Sequence, residues 1–385
     1  SVEKTAIPRA NSFFSMKSFP SLRNYDWLLV TVVFVLAAIG LSAIYSVDLS
    51  RGEELVFFPT QVIAFVIGVI VLFVAASIHM VVYQSYAWLV YIIGLCSLAG
   101  VLFFGVTIRG TTGWFSFAGF SFQPAELAKV ALVLILGKLI SRYGRRFDKP
   151  QFVVITGAVT ILFAGLILLQ PDLGSALVFF SVWFGILLLT GVKKRFILSL
   201  LIILAIGFIS SWFFLFQEYQ KNRFLTFIDP DRDPLGAGYN VTQSVIAIGS
   251  GQLAGRGLGF GSQSQLHFLP EAQTDFIFSV IAEELGFVGI FFVLSFFFFL
   301  LWRLIRIASM SRSEFGVYTV LGIVLLFFVQ IIFNVGGAAG LLPITGLTLP
   351  FVSYGGSSLI VNCLLIGVAL SINNSSGSMP ASPKS

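Results

Sequence analysis

The chain has 385 residues, of which 57% are hydrophobic and only 10% are charged, and its mean hydropathy is +0.97. Soluble domains carry about 25% charged residues, so this composition excludes a water-soluble globular protein and predicts that the bilayer is its main solvent. The formal net charge is +6, but the basic residues are scattered between apolar runs. That arrangement is typical of a chain oriented in a membrane and argues against nucleic-acid binding.

Ten apolar segments are long enough to cross a bilayer, which takes about 20 mostly apolar residues in a helix. They lie at 27–47, 56–76, 85–105, 125–141, 152–170, 173–190, 196–216, 276–302, 317–335 and 357–372. The sequence therefore predicts an all-α, polytopic integral membrane protein with about ten transmembrane helices. A single ten-helix domain at 27–372 accounts for almost the whole chain.

Lysine and arginine predict the orientation of these helices, because short loops rich in them stay in the cytoplasm. Both residue types concentrate before the first helix and in every second loop after it. We therefore expect a cytoplasmic N-terminal segment at 1–26 and a cytoplasmic C-terminal tail at 373–385. The longest outward loop, 217–275, joins helices seven and eight, and structureless loops of that length are usually functional.

Asp275 is the residue best placed for acid–base chemistry. It ends the polar loop and directly precedes a continuous apolar run, so its carboxylate is expected at the membrane boundary. There it is a candidate general base. The alternative interpretation is a helix cap, in which Thr274 or Asp275 satisfies free N–H groups at the start of helix eight.

Glu126 and Lys129 form a second candidate site at the start of the fourth predicted helix. They are three residues apart and so share one helix face. Ionisable residues within membrane spans are often functional, and a lysine near an outward cavity suits a diphosphate as a compact positive charge. The alternative is a mutually neutralised pair that fixes helix packing.

Glu283 and Glu284 lie about two turns into helix eight. As intramembrane carboxylates they fit either a proton path, as in a transporter, or hydrogen bonding to neighbouring backbone. Asp172 follows a proline and precedes an apolar run, which favours an N-cap. Gly255, Gly257, Gly259 and Gly261 surround Arg256 in a stretch too unlike a nucleotide loop to predict one, although it fits a flexible loop close to a lipid diphosphate.

Several longer motifs resemble the SEDS family (shape, elongation, division and sporulation). They are QPAELAK at 123–129, QPDLG at 170–174, DPLGAGY at 233–239, LPEAQTDFIF at 269–278, EELG at 283–286 and LPFVSYGGSS at 349–358. They occur in the order found in that family, and the resemblance extends over about 25–372. The family consists of peptidoglycan glycosyltransferases of bacterial cytoplasmic membranes.

The resemblance implies a reaction, partners and site residues. Lipid II would be added to a glycan chain carried on undecaprenyl diphosphate, with inversion to a β-1,4 bond and Asp275 as the base. Cations would stabilise the leaving diphosphate. Lys129 is the first candidate for this role, and Arg109 and Arg256 are the next candidates. Further substrate contacts are expected from Glu126, Glu271, Ser353 and Tyr354. A class B penicillin-binding protein is the expected protein partner beside the membrane lipids, and a divalent cation could assist, although no ligand cluster in the sequence demands a metal.

The motifs are divided between two branches of the family. Segments 246–251 and 261–266 resemble the elongation branch, RodA, whereas 346–350 resembles the division branch, FtsW. We favour an elongation role, with division as the alternative. The chain also departs from the family pattern, with Gly113 and Ser121 near positions that are often basic and Gln273 where histidine is frequent. Arg109 is a candidate to replace one of the missing basic charges from a different position, and the glutamine at 273 leaves Asp275 as the main candidate base.

Two other functional classes remain open at the level of the sequence. One is a transporter, such as a lipid II flippase, which the intramembrane Glu283 and Glu284 would fit, although no internal repeat is visible. The other is a catalytically silent scaffold for a cell-wall transpeptidase.

Overall fold

A computed structural model describes residues 25–50, 55–108, 110–117, 120–143, 147, 149–214, 221, 225–229, 232–233 and 236–377. Its helices are α1 (Trp27–Leu49), α2 (Phe57–Ser77), α3 (Met80–Phe104), α4 (Pro124–Tyr143), α5 (Pro150–Leu168), α6 (Leu173–Thr190), α7 (Lys194–Phe214), α8 (Ala237–Ser250), α9 (Ser262–Gln265), α10 (Ile277–Met310), α11 (Glu314–Ala338) and α12 (Gly356–Gly377). Three strands, β1 (Val106–Ile108), β2 (Thr111–Phe117) and β3 (Phe120–Phe122), lie between α3 and α4.

The structure confirms the polytopic helical architecture. Nine helices among the described residues are long and apolar enough to cross a membrane, namely α1, α2, α3, α5, α6, α7, α10, α11 and α12. The tenth predicted span, α4, is of similar length but carries Glu126, Lys129, Lys138 and Arg142. Its charges, and not its length, set α4 apart from the other nine.

Helix α4 lies inside the bundle, which explains how it carries charges. Fifteen of its twenty residues are buried, and it packs against α3 and α11. Ionisable groups within a membrane protein are tolerated where they face other helices and not lipid. By contrast, no residue of the apolar window of α7 is buried, so α7 lies at the periphery.

The segment before α4 forms a small antiparallel sheet in the order β1-β2-β3, which the sequence analysis treated only as an outward segment. Val106 pairs with Trp114 and Phe115 pairs with Phe122. Aromatic and β-branched residues of this kind favour strands. The sheet leads directly into Gln123 and the start of α4, so it fixes the direction from which the chain enters that helix.

Helix α10 is broken at Gly286, whose backbone angles are φ 65° and ψ −162°. The loop after α8 fills the break. The amides of Arg256 and Gly257 donate to the carbonyls of Glu283 and Glu284 at 3.0 and 2.9 Å. In return, the amides of Phe287 and Val288 donate to the carbonyls of residues 252 and 253, at 2.8 and 3.1 Å. The backbone groups freed by the break are therefore paired within the protein, as membrane depth requires.

Glycine at three positions permits this close backbone contact. A Cβ atom on Gly251 would lie 1.9 Å from the carbonyl oxygen of Ala282, and one on Gly255 would lie 2.1 Å from that of Glu284. A Cβ on Gly286 would lie 2.3 Å from the amide nitrogen of Gly255. The glycine-rich stretch thus serves first as a packing surface for α10, which replaces the expectation of a freely flexible loop.

Candidate active site

Asp275 lies in the turn that immediately precedes α10 and is half-buried. The N-cap position of α10 belongs to Phe276, whose side chain makes no capping hydrogen bond. The Thr274 hydroxyl donates instead to the carbonyl of Glu271 at 3.3 Å. The structure therefore gives neither Thr274 nor Asp275 the position expected of the cap.

The backbone around Asp275 is fixed by buried polar groups from α11 and from the loop between α11 and α12. Asn334 Nδ2 donates to the carbonyl of Asp275 at 3.2 Å and to that of Leu347 at 2.8 Å. Ser353 Oγ donates to the carbonyl of Thr274 at 2.7 Å. The amide of Tyr354 donates to the carbonyl of residue 273 at 2.8 Å. The carboxylate is thus carried on a segment that is held at three successive residues.

Asp275 opens onto a cavity of about 270 Å³. Glu271 lines this cavity and also a neighbouring one of about 560 Å³. The first cavity is lined by Thr226, Phe227, Asn240, Val241, Glu271, Asp275, Phe276, Leu342, Pro343 and Ile344. Two carboxylates, a few polar groups and an apolar wall together suit a ligand that has both a sugar and a lipid part.

Glu271 is held in an unusual backbone conformation, with φ 53°. Its Oε2 atom accepts from Gln273 Nε2 and from Thr274 Oγ1, both at 3.3 Å. A positive φ is uncommon for a residue other than glycine. The turn 271–275 is therefore shaped locally by its own side chains as well as by Asn334 and Ser353.

Glu126 and Lys129 form the expected ion pair, with Lys129 Nζ 2.7 Å from Glu126 Oε1. Both side chains are almost completely buried, at 2% and 6% exposure for Lys129 and Glu126 respectively. Neither residue lines either of the two cavities. The spacing of the two residues in the sequence predicted their proximity correctly, whereas their burial could be seen only in the folded bundle.

The remaining predicted substrate contacts fall in different places. The Ser353 hydroxyl already accepts from the amide of Leu349 at 2.8 Å and donates to Thr274, so it serves to anchor the turn. Tyr354 packs its ring against Phe57, with centroids 4.9 Å apart. Arg256 is exposed and donates to Ser262 Oγ at 3.0 Å. Arg109 lies outside the described residues.

Glu283 and Glu284 hold the loop that covers the break in α10. Glu283 accepts from the amides of residues 263 and 264, at 2.9 and 3.2 Å. Glu284 accepts from the Ser46 hydroxyl and from the amide of Gly259. These contacts favour the structural interpretation of the two carboxylates over a proton path.

Asp172 is the N-cap of α6, as the sequence predicted, and its Oδ1 accepts from the amide of Ser175 at 2.9 Å. Its Oδ2 also accepts from Gln123 Nε2 at 3.4 Å. Ser357 donates to the carbonyl of Ser121 at 2.9 Å. The start of α4 is therefore tied to both α6 and α12.

Two buried amides that position the site were missed from the sequence. Asn334 binds the carbonyl of Asp275, and Gln61 of α2 donates to the carbonyl of Ser353 at 3.2 Å. The available signal was a polar amide inside an apolar run, which is costly in a membrane unless it is hydrogen-bonded. That signal identifies the residue but not the loop to which it binds.

Comparison with known proteins agrees with the resemblance seen in the sequence. The chain is 37% identical over 347 residues to the peptidoglycan glycosyltransferase MrdB of Escherichia coli K12, covering 89% of this chain and 92% of that protein. It is 38% identical over 366 residues to the probable peptidoglycan glycosyltransferase FtsW of Thiomicrospira cyclica, covering 91% and 92% respectively. A chain solved in a study of polymerization and crosslinking by a peptidoglycan synthase complex has a TM-score of 0.78 and 32% identity, covering 92% of this chain and 99% of that one.

A family model also matches almost the whole chain. The model of the cell cycle proteins FtsW, RodA and SpoVE matches residues 25–377, which include every helix of the bundle and the turn that carries Asp275. The match therefore covers the membrane domain and the candidate site together. The chain belongs to the FtsW/RodA/SpoVE family of cell cycle proteins.

Proposed function

We propose that this chain is an inverting peptidoglycan glycosyltransferase that polymerises lipid II into β-1,4 glycan strands at the outer face of a bacterial cytoplasmic membrane. The observation that carries the proposal is Asp275, a half-buried carboxylate on a fixed turn that opens onto a cavity at the mouth of α10. Two relatives that match nearly the whole chain are named as peptidoglycan glycosyltransferases, which supports the same activity.

The chemistry requires one base and a stabilised leaving group. The 4-hydroxyl of the lipid II GlcNAc attacks the anomeric carbon of the growing glycan. The new C–O bond forms while the bond from that carbon to the diphosphate oxygen breaks, so the α-linkage becomes β. Asp275 takes the hydroxyl proton, and undecaprenyl diphosphate leaves as an anion whose charge a nearby cation stabilises.

Lys129 is the proposed cation, and its burial sets a condition on that role. Its ammonium is covered and paired with Glu126 in this structure. Contact with a diphosphate therefore requires that the end of α4 that carries this pair opens toward the cavity. The compact positive charge of a lysine is suited to a phosphate group.

Orientation and partners belong to the same proposal. Both termini lie in the cytoplasm, so that 217–275 and the turn with Asp275 face outward, where the lipid-linked sugar is presented. A class B penicillin-binding protein is the proposed partner, since the similar solved chain comes from a complex described as coordinating polymerization and crosslinking. The two relatives represent both branches of the family at 37% and 38% identity, so the elongation role stays a prediction.

The test is polymerisation of labelled lipid II by the purified chain, with no source of ATP. We expect glycan products from the wild-type protein, alone or with its transpeptidase partner. Movement of lipid II across vesicle membranes without any polymer would support a flippase instead. Absence of both activities in folded protein, with the partner present, would support a scaffold.

A further inference from the structure

The ion pair in α4 is incompletely satisfied. Lys129 Nζ contacts Glu126 Oε1 at 2.7 Å. The other oxygen, Glu126 Oε2, is buried and has no hydrogen-bond partner among the described residues. An ionised carboxylate away from water needs its lone pairs occupied, since an unmet acceptor there is costly. The pair therefore lacks one hydrogen-bond donor.

A buried glutamine on α11, Gln330, also lacks hydrogen-bond partners among the described residues and could supply the donor that Glu126 needs. Gln330 has no exposed surface, and neither Nε2 nor Oε1 has a hydrogen-bond partner within the described part of the chain. A glutamine amide offers two N–H donors and one acceptor oxygen. Its neighbour one turn along α11 is Asn334, which holds the carbonyl of Asp275. Gln330 thus lies toward the end of the bundle that carries the candidate base.

The packing of α4 against α11 brings these two residues to one level. A Cβ on Gly137 would lie 2.3 Å from Thr319 Oγ1, and one on Gly322 would lie 3.0 Å from Val133 Cγ1. From the first contact to the second, the residue number falls from 137 to 133 in α4 and rises from 319 to 322 in α11, so the two helices are antiparallel. Glu126 lies eleven residues before Gly137, and Gln330 lies eleven residues after Thr319. Eleven residues are about three turns, which returns both side chains to the facing sides at the same depth.

We propose that Gln330 is a positioning residue for the Glu126–Lys129 pair, and that its amide donates to Glu126 Oε2 through one bridging water molecule. With both carboxylate oxygens hydrogen-bonded, Glu126 is held in one rotamer and Lys129 keeps a single orientation. This rests on the proposed function, in which Lys129 stabilises the leaving diphosphate. It also gives α11 two tasks in one site, because Asn334 holds the base and Gln330 holds the partner of the cation.

Gln330→Met tests the inference, because methionine is similar in shape and lacks the amide. It is compared in the wild-type background and in a background with Glu126→Met and Lys129→Met, where neither charge nor the carboxylate acceptor remains. The matched control is Thr319→Val, which removes a different buried polar group from the same face of α11, a hydroxyl with no hydrogen-bond partner among the described residues. Thermal midpoints in detergent and rates of lipid II polymerisation are measured for each purified variant.

We expect Gln330→Met to lower the thermal midpoint in the wild-type background only, and to slow polymerisation there by roughly ten- to a hundredfold, as expected for a displaced catalytic group. In the uncharged background it should leave the midpoint unchanged or raise it, because it removes a buried amide with nothing to bind. Thr319→Val should change the midpoint equally in both backgrounds and leave the rate unchanged. An equal change in both backgrounds for Gln330→Met overturns the inference, whatever the polymerisation rates, and so separates it from a failure of the proposed function.

Discussion

Asp275 combines the two properties that a general base in this site needs. Its carboxylate lines a cavity, and its backbone is held through the hydrogen bond from Asn334 and the flanking bonds to residues 273 and 274. A fixed backbone keeps the carboxylate at one distance from a bound hydroxyl, which is the main requirement for proton transfer. The N-cap position of α10 itself lies one residue further on, at Phe276.

We predict that Asp275→Asn abolishes polymerisation while the protein folds normally. Asparagine keeps the size of the side chain and the backbone hydrogen bonds but cannot take the proton, so the rate should fall by about 10²–10⁴. The measurements are lipid II polymerisation, thermal midpoint and binding of the transpeptidase partner. A near-normal rate from purified Asp275→Asn would move the search for a base to Glu271, which lines the same cavity.

The second prediction concerns Lys129, whose burial changes how it has to be tested. Removing one member of a buried ion pair leaves an uncompensated charge and typically costs about 3–5 kcal/mol. We therefore expect Lys129→Met alone to lower both stability and polymerisation. Combined with Glu126→Gln, it should regain the thermal midpoint but not the activity. If the double variant polymerises lipid II at the wild-type rate, the pair serves packing only.

At the scale of elements, α10 and the 251–259 loop form one unit. The loop supplies donors and acceptors to the break at Gly286. Glu284 accepts from the amide of Gly259 at the end of the loop, and Glu283 accepts from the amide of residue 263 beyond it. That loop leads through α9 to the turn with Asp275. Packing of the loop against α10 therefore contributes to the position of the candidate base, although none of its glycines lines the cavity.

We predict that Gly251→Ala destabilises the protein and that Gly249→Ala does not. The added methyl group at Gly251 would meet the carbonyl oxygen of Ala282 at 1.9 Å, whereas the same group at Gly249 meets nothing within 4 Å. Overpacking of this kind typically costs about 1–3 kcal/mol, while alanine in the exposed face of a helix is favoured over glycine by up to about 1 kcal/mol. Thermal midpoints of the two variants provide the comparison. Equal midpoints would mean that the loop is not packed on α10 as described.

On the scale of the whole molecule, one ion pair shows which helix ends lie on the same side of the membrane. Asp26, which caps α1, is paired with Arg303 near the end of α10. The start of α1 and the end of α10 therefore lie on the same side. Arg306 and Arg312 follow on that side, and a cluster of basic residues favours the cytoplasm.

The fourth prediction tests this orientation with exposed positions at the two ends. Asp229→Cys and Ser309→Cys both replace exposed residues, and the exposed Cys96 is first replaced by alanine. An impermeant maleimide added to right-side-out vesicles should label the variant at Asp229 and not that at Ser309, while permeabilised vesicles should label both. The opposite pattern would place Asp275 on the cytoplasmic side and overturn the proposed reaction.

The sequence by itself determined the features that depend on local composition. An apolar stretch of sufficient length enters the bilayer whatever its neighbours are, so each of the ten predicted segments coincides with a helix, and nine of these helices are long and apolar enough to cross a membrane. The bounds differ most at the start of α3 and at the ends of α10 and α12. The N-cap at Asp172 and the 126–129 pair are equally local, because each depends on residues three apart on one helix. Asp275 was identifiable because a polar loop meets an apolar run there.

Only the tertiary structure decided how distant segments meet. Three features join residues that are far apart in the chain. They are the backbone hydrogen bonds between 252–257 and the break at Gly286, the hydrogen bond from Asn334 to the carbonyl of Asp275, and the equal depth of Glu126 and Gln330 in the bundle. Such contacts follow from the register between packed helices, which is set by many small steric terms across the interface and not by any single residue type. A buried amide in an apolar helix indicates in the sequence that a partner is needed, but the packed bundle determines which one it meets.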